Sequence, residues 1–179
     1  TCIAVVAFVV IVLINYLAMN DNKVSLDEMS NSSYKVVKIT SQNVGLLEKL
    51  DELYTQAVTF GEQDLIVKAD EVYQTLESNI ALITQLNNSY INNDIINELS
   101  DYEKISSSIA TGMVNGTADF SKIQQQAQLK TSLYGSVLES FKAAQQKADN
   151  RFFELVANTK ARSDQALTLM LAVSIISLI

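Results

Sequence analysis

The chain has 179 residues, with no Pro, His or Trp, a single Cys and a net charge of −7 at pH 7. An acidic chain lacks the basic surface that nucleic acids select, so we expect no nucleic-acid partner. Without His, and with its Cys at position 2, the chain lacks the commonest general base, the commonest soft nucleophile and the usual nitrogen and sulphur metal ligands. We therefore expect no enzyme, no catalytic residues, no metal site and no cofactor.

Two uncharged apolar runs bracket the chain, at residues 2–19 and 166–179. Every Lys, Arg, Asp and Glu lies from Asp21 to Asp164. A bilayer core takes roughly 20 apolar helical residues, so residues 1–19 predict one transmembrane helix. Residues 166–179 predict a second one, truncated where the chain ends. The alternatives are a signal peptide for the first run and a buried C-terminal helix for the second.

The charged middle of the chain, residues 20–165, is long enough for one domain with its own core. Because Pro breaks helices, its absence favours long uninterrupted ones. We therefore predict an all-α extracytoplasmic domain between the two membrane helices.

The first predicted helix of this domain continues from the first apolar run. Its core face follows a seven-residue register that includes polar positions. The members of this register are Leu26, Met29, Ser33, Val36, Thr40, Asn43, Leu47, Leu50, Tyr54 and Ala57. A second row with Val37, Val44 and Leu46 widens the stripe, as in a helix that packs among several others. Gly61 predicts the C-terminal stop.

Three more helices are predicted, at about 62–87, 91–114 and from 119 into the second apolar run. Their connections are short, so neighbouring helices should be antiparallel. The predicted fold is an up-down-up-down four-helix bundle. Its long first and last helices continue into the two membrane helices, and the middle pair forms a shorter hairpin.

Two cations, Lys130 and Arg151, lie on the apolar stripe of the fourth predicted helix. An ion in such a position is costly unless it is paired or solvated. One interpretation is that each snorkels or pairs with an acid of a neighbouring helix. The other is that one of them meets an anionic ligand in a cleft between helices. Ser33, Thr40 and Asn43 are interpreted as register-fixing hydrogen-bonding residues or as ligand contacts.

Helical rise separates the two cations. Lys130 lies ~54 Å and Arg151 only ~22 Å from the second apolar run, at 1.5 Å per residue. Lys130 and Thr131 therefore lie near the membrane-distal end, at about the height of Lys49, Tyr54 and Tyr134.

This layout, with the segments LLEKLDELYTQAVTFGEQD (Leu46–Asp64) and YGSVLESFKAAQQKADNRFFELV (Tyr134–Val156), resembles the periplasmic sensor region of bacterial methyl-accepting chemotaxis receptors of the four-helix-bundle or related helical type. The resemblance implies an inner-membrane protein whose middle domain is periplasmic or extracellular. It implies a homodimer formed through the first helix. It also implies a ligand-binding site high on the bundle, between the first and fourth helices. The predicted site residues at that height are Lys130, Thr131, Tyr134, Lys49 and Tyr54. The implied partner is a small-molecule ligand, anionic if a cation contacts it, or a periplasmic binding protein.

The same resemblance implies signalling by a small displacement of the fourth helix and the second membrane helix. Two other functions remain open. Sensor histidine kinases use the same kind of module, and a membrane-tethered helical scaffold without a small ligand would have the same layout.

Overall fold

The computed structural model describes the backbone of residues 2–91 and 93–177, and the side chains there except those of residues 2–7, 30, 93, 173–174 and 176–177. All regular elements in this part of the chain are helical, which confirms the all-α prediction. They are α1 (Cys2–Glu28), a π-helical segment (Met29–Ser33), α2 (Tyr34–Phe60), α3 (Gln63–Leu86), α4 (Asn93–Val114) and α5 (Phe120–Ser177).

The chain divides into two compact units. One, called here the bundle unit, is Val36–Ala148. The other, called the terminal unit, combines Thr1–Lys35 with Asp149–Ile179. Helices α2 and α5 contribute residues to both units.

Four helices surround one apolar core in the bundle unit. Side-chain contacts join Asn43 to Asn79 and Tyr54 to Asp70, so α2 and α3 are antiparallel. Contacts of Glu98 with Ser136 and of Tyr102 with Tyr134 make α4 and α5 antiparallel. Asp51 contacts Tyr102 and Tyr54 contacts Glu103, so α2 and α4 are parallel. The helix directions therefore alternate along the chain, as in an up-down-up-down bundle.

The seven-residue register predicted for α2 is confirmed from position 33 onward. Its buried members are Ser33, Val36, Thr40, Asn43, Leu47, Leu50, Tyr54 and Ala57. The register is wrong at Leu26, which is 55% exposed. The π-helical segment explains this, because the Tyr34 N–H bonds to the Met29 carbonyl five residues back and breaks the helical phase that a continuous register assumes.

Apolar spacing predicts a core stripe on the third helix that includes Leu99, Tyr102, Ile105 and Ile109. In α4, Leu99 and Tyr102 are buried as predicted, but Ser106 and Ala110 are buried in place of Ile105 and Ile109.

Apolar spacing also predicts a core stripe on the fourth helix, from Phe120 to Leu155. In α5 only the later part of this stripe is buried, and Phe120 is 76% exposed. Its buried members are Val137, Phe141, Ala144, Ala148 and Leu155.

Glycines form the two turns at one end of the bundle unit. Gly61 follows α2 with φ +71°, and Gly116 follows α4 with φ +68°. The Gly61 N–H bonds to the Ala57 carbonyl at 2.9 Å. The predicted role of Gly61 as a left-handed helix stop is confirmed, and Gly116 has the same role.

A helix with the length and apolar character that a bilayer crossing requires is absent from the described part of the chain. The structure does not describe every side chain of the two apolar runs that predicted membrane helices. The side chains left out are those of residues 2–7, 173–174 and 176–179.

Candidate functional site

Three helices meet at one carboxylate in the bundle unit. Asp51 of α2 accepts, on its Oδ1, a bond from Lys130 Nζ of α5 at 2.7 Å. The same oxygen accepts the Tyr102 hydroxyl of α4 at 2.8 Å. We call these three residues the Asp51 node. Both of its bonds are charge-assisted and partly shielded from water, which makes them stronger than surface contacts.

Tyr102 of this node and the neighbouring Tyr134 both keep their phenol protons at neutral pH. Burial, and then the charge of Asp51, raise the pKa of Tyr102. The ring of Tyr134 lies 5.9 Å from that of Tyr102 at an angle of 50°, a favourable tilted aromatic contact. Burial, followed by the charge of Asp51, also raises the pKa of Tyr134.

A second polar cluster surrounds the hydroxyl of Tyr54, whose residue is 1% exposed. This oxygen lies 3.4 Å from Asp70 Oδ1 and 3.3 Å from Glu103 Oε1. A phenol carries one proton, so it can donate to only one of these carboxylates at a time. Burial is the main cause that raises the pKa of Glu103, and Asp70 adds to it, while the bond from Tyr54 opposes the shift.

The structure brings together some of the predicted ligand-binding residues. Lys130 belongs to the Asp51 node and Tyr134 lies beside it. The Tyr54 hydroxyl belongs to the second cluster. Thr131 is exposed and its hydroxyl donates to the Ala127 carbonyl of its own helix. Lys49 is exposed on α2. Ligand binding by these residues stays a prediction.

The pairing of Lys130 with Asp51 agrees with the interpretation that this cation pairs with an acid of a neighbouring helix. Sequence reasoning did not single out Asp51, although it lies near the height assigned to Lys130. It follows Leu50, a core position of α2, so a search for acids flanking the core at that height would have found it. Asp70 and Glu103 carry no such signal in the sequence, because acidic residues on a helix ordinarily lie on its solvated surface.

Arg151 also has acidic partners. In the terminal unit its guanidinium lies 3.3 Å from Glu28 Oε1 and 3.2 Å from Glu154 Oε2. The Arg151 side chain is 44% exposed, so these pairs are screened and weak.

One polar residue of the α2 core joins α2 to α3. Asn43, 0% exposed, accepts on its Oδ1 a bond from Asn79 Nδ2 at 2.8 Å. Its own Nδ2 has no hydrogen-bond partner among the described residues. Thr40, in contrast, donates to carbonyls of its own helix. The register-fixing interpretation therefore suits Asn43 and not Thr40.

No protein-family model, curated protein or solved structure matches the chain. Within the described residues, no group of three or more acidic, His or Cys side chains is arranged to hold a metal ion. A function must therefore be argued from the layout of the chain and from its polar clusters.

Proposed function

We propose that the chain is the extracytoplasmic ligand-sensing region of a bacterial transmembrane chemoreceptor, and that α5 carries its signal. The observation behind this proposal is that α5, Phe120–Ser177, is one uninterrupted helix. It supplies Lys130 to the Asp51 node and it also contains most of the apolar run at residues 166–179. A change at the node therefore acts on the helix that ends in that run.

The membrane attachment is part of this proposal. Both apolar runs are uncharged and all charges lie between them, a pattern typical of an outer domain held by its two ends. We propose that both runs belong to segments that enter the bacterial inner membrane, with the domain on the periplasmic or outer side. We also propose a homodimer formed through α2, as in the receptors that the chain resembles.

The Asp51 node suggests how a ligand could act. An anionic group that bound Lys130 would have to replace Asp51 as its partner. Loss of that bond would release α5 from α2 and leave Asp51 with the Tyr102 hydroxyl alone. Since a ligand shifts a conformational equilibrium only by its differential affinity, this exchange gives the ligand a contact that differs between the two states. The proposed contacts are Lys130, Thr131, Tyr134, Lys49 and Tyr54.

Membrane attachment is tested by mixing the full chain with phospholipid vesicles and separating the mixture by flotation. Signalling is tested by joining the full chain to the cytoplasmic part of a chemotaxis receptor and measuring kinase control while candidate anions are added. We expect flotation with the vesicles and a dose-dependent output. An anion that binds the chain but leaves the output unchanged would contradict the sensor function and favour a scaffold.

The role of α5 has its own test in the same chimera. Exposed Ala157 and Asn158 of α5 are both replaced by Gly, which lowers helix stability by ~1 kcal/mol at Ala157 and by less at Asn158. The matched control replaces exposed Gln74 and Thr75 of α3 by Gly. We expect the α5 variant to lose output and keep ligand binding, and the α3 variant to keep both. Equal loss in the two variants would contradict signalling through α5.

A further inference from the structure

A groove of about 510 Å³ lies between α3 and α4 of the bundle unit. Ile80 and Leu99, both buried in the core, contribute apolar lining. Ala81 and Ile96 add further apolar lining, and Ile96 is 41% exposed. The volume is within the range of sites for small organic ligands. The groove therefore offers an apolar surface to a small molecule from solvent.

A carboxylate is held at a defined position in this groove. Tyr73 and Glu77 both line it, and the Tyr73 hydroxyl donates to Glu77 Oε1 at 2.9 Å. Burial, and next the bond to Glu77, raise the pKa of Tyr73 to about 12. The phenol thus keeps its proton at neutral pH and orients the carboxylate. The other polar lining residues are Thr84, Asn97 and Ser100.

The electrostatic character of the groove is negative. None of its described lining residues is basic, and Glu77 is acidic. The charge of Glu103 also contributes to the raised pKa of Tyr73, so a second carboxylate acts at the same end. A fixed carboxylate beside apolar lining is complementary to a molecule that has a cationic group at one end and an apolar body at the other.

We propose that the α3/α4 groove binds a small organic ammonium ion with an apolar body. The ammonium group contacts Glu77, and the apolar part covers Ile80, Leu99 and Ile96. This site shares no residue with the ligand contacts proposed around Lys130. The proposal concerns binding alone and goes beyond the sensor function.

The test uses the full chain and two ammonium probes of this class, phenethylammonium and hexylammonium, with phenylacetate as the anionic analogue. Binding is measured by isothermal titration calorimetry. Glu77→Gln removes the charge, and Glu71→Gln, at an exposed position of α3 outside the groove lining, is its matched control. Ala81→Trp fills the groove, and Ala143→Trp, at an exposed position of α5, controls for the added side chain.

We expect saturable binding of at least one ammonium probe and none of phenylacetate. Glu77→Gln should weaken binding about two- to fivefold, as for a charge pair at an exposed carboxylate. Ala81→Trp should weaken it about tenfold or more, and both controls should bind like the unaltered chain. Circular dichroism establishes that each variant is folded.

Three results would overturn the proposal: no saturable binding of either ammonium probe, equal binding of phenylacetate, or unchanged affinity in both groove variants. These binding results can be separated from success or failure of the proposed sensor function. An ammonium probe that binds but leaves the chimera output unchanged supports the groove alone. An anion that controls the output while neither ammonium probe binds supports the sensor alone.

Discussion

Lys130 Nζ lies 2.7 Å from Asp51 Oδ1, and this bond joins α5 to α2 inside the bundle unit. The two side chains are 20% and 34% exposed. Solvent therefore screens this pair less than it screens an ordinary surface pair. Because Tyr102 donates to the same oxygen, the carboxylate accepts hydrogen bonds from two further helices. Removing either donor leaves it with a single hydrogen bond.

Removal of the lysine charge should therefore destabilise the fold. We expect Lys130→Met to lower the free energy of unfolding by ~1–2 kcal/mol, because a partly buried Asp51 loses its counter-ion. Lys49→Met, at an exposed position of the same bundle unit, should change it by less than ~0.5 kcal/mol. In a double-mutant cycle with Asp51→Asn, the coupling should be about 1 kcal/mol. Urea denaturation measures all of these, and equal costs at Lys130 and Lys49 would contradict the pair.

The amide pair of the α2/α3 core predicts opposite effects for single and double substitutions. Asn79→Ala should cost ~1–3 kcal/mol, because the fully buried Asn43 then lacks a partner for both of its polar groups. The double substitution Asn43→Leu with Asn79→Leu should recover this loss, since both polar groups are replaced together. Chemical denaturation checks the prediction, with Gln74→Ala on the exposed face of α3 as control. A double variant less stable than Asn79→Ala would refute it.

The carboxylate pair at Tyr54 predicts a pH effect. The pKa of Glu103 lies above its ordinary 4.5, mainly because of burial. For an acid with a raised pKa, stability is present below the unfolded pKa and is lost as the pH rises through the folded pKa. Glu103→Gln should therefore raise the melting temperature at pH 7, and this gain should shrink as the pH falls toward 4.5. Melting curves across that range measure it, with Glu71→Gln as control, and a gain that grows on acidification would have the wrong sign.

Glycine substitutions should have opposite signs in turns and in helices. Gly116→Ala should destabilise by ~1 kcal/mol, because a side chain is strained at φ +68°. Gly135→Ala should stabilise by ~0.5–1 kcal/mol, since this residue lies within α5 and a Cβ there would meet nothing within 4 Å. Thermal denaturation distinguishes the two, and a stabilising Gly116→Ala would show that the turn tolerates a side chain.

The proposed dimer predicts crosslinks on the side of α2 that carries Val37 and Val44, which lie seven residues apart and so share one face. Both pack against the core but remain half-buried, as does Leu46 on the other side of the core stripe. Val37 and Val44 therefore retain surface for a partner subunit. In membranes, and in a chain with Cys2→Ser, Val44→Cys should form an oxidative crosslink between subunits. Leu47→Cys, at a position that is 0% exposed, should not. The reverse pattern on non-reducing gels would exclude this face as the interface.

The sequence predicted the fold well where apolar spacing determines burial. From Val36 to Ala57 the structure buries every position of α2 that the seven-residue register predicted. The prediction failed where the backbone changes its own period, at Met29–Ser33, because a π-helical segment follows from local hydrogen bonding and leaves no apolar signature. It also failed in α4, where Ser106 and Ala110 are buried in preference to larger isoleucines.

The candidate site could be predicted only in part. A cation on an apolar stripe needs an anionic partner, and the sequence pattern identified Lys130 as such a cation. In the structure Lys130 pairs with Asp51. The partner itself comes from another helix, and its choice depends on how α2 and α5 are aligned along their axes. The carboxylates around Tyr54 come from α3 and α4, so no single-helix pattern could have grouped them.

The bond between Asn43 and Asn79 limits which motions the bundle unit can make. If α3 moved along α2 by one turn, ~5.4 Å, the two amides would separate. Asn43 would then be buried among apolar side chains without a hydrogen-bond partner. Intermediate offsets would break the bond without supplying another partner. Helices α2 and α3 are thus held in one register, and Tyr102 holds α4 to Asp51 of α2 in the same way. Piston-like travel within the bundle unit is then left to α5, once Lys130 leaves Asp51.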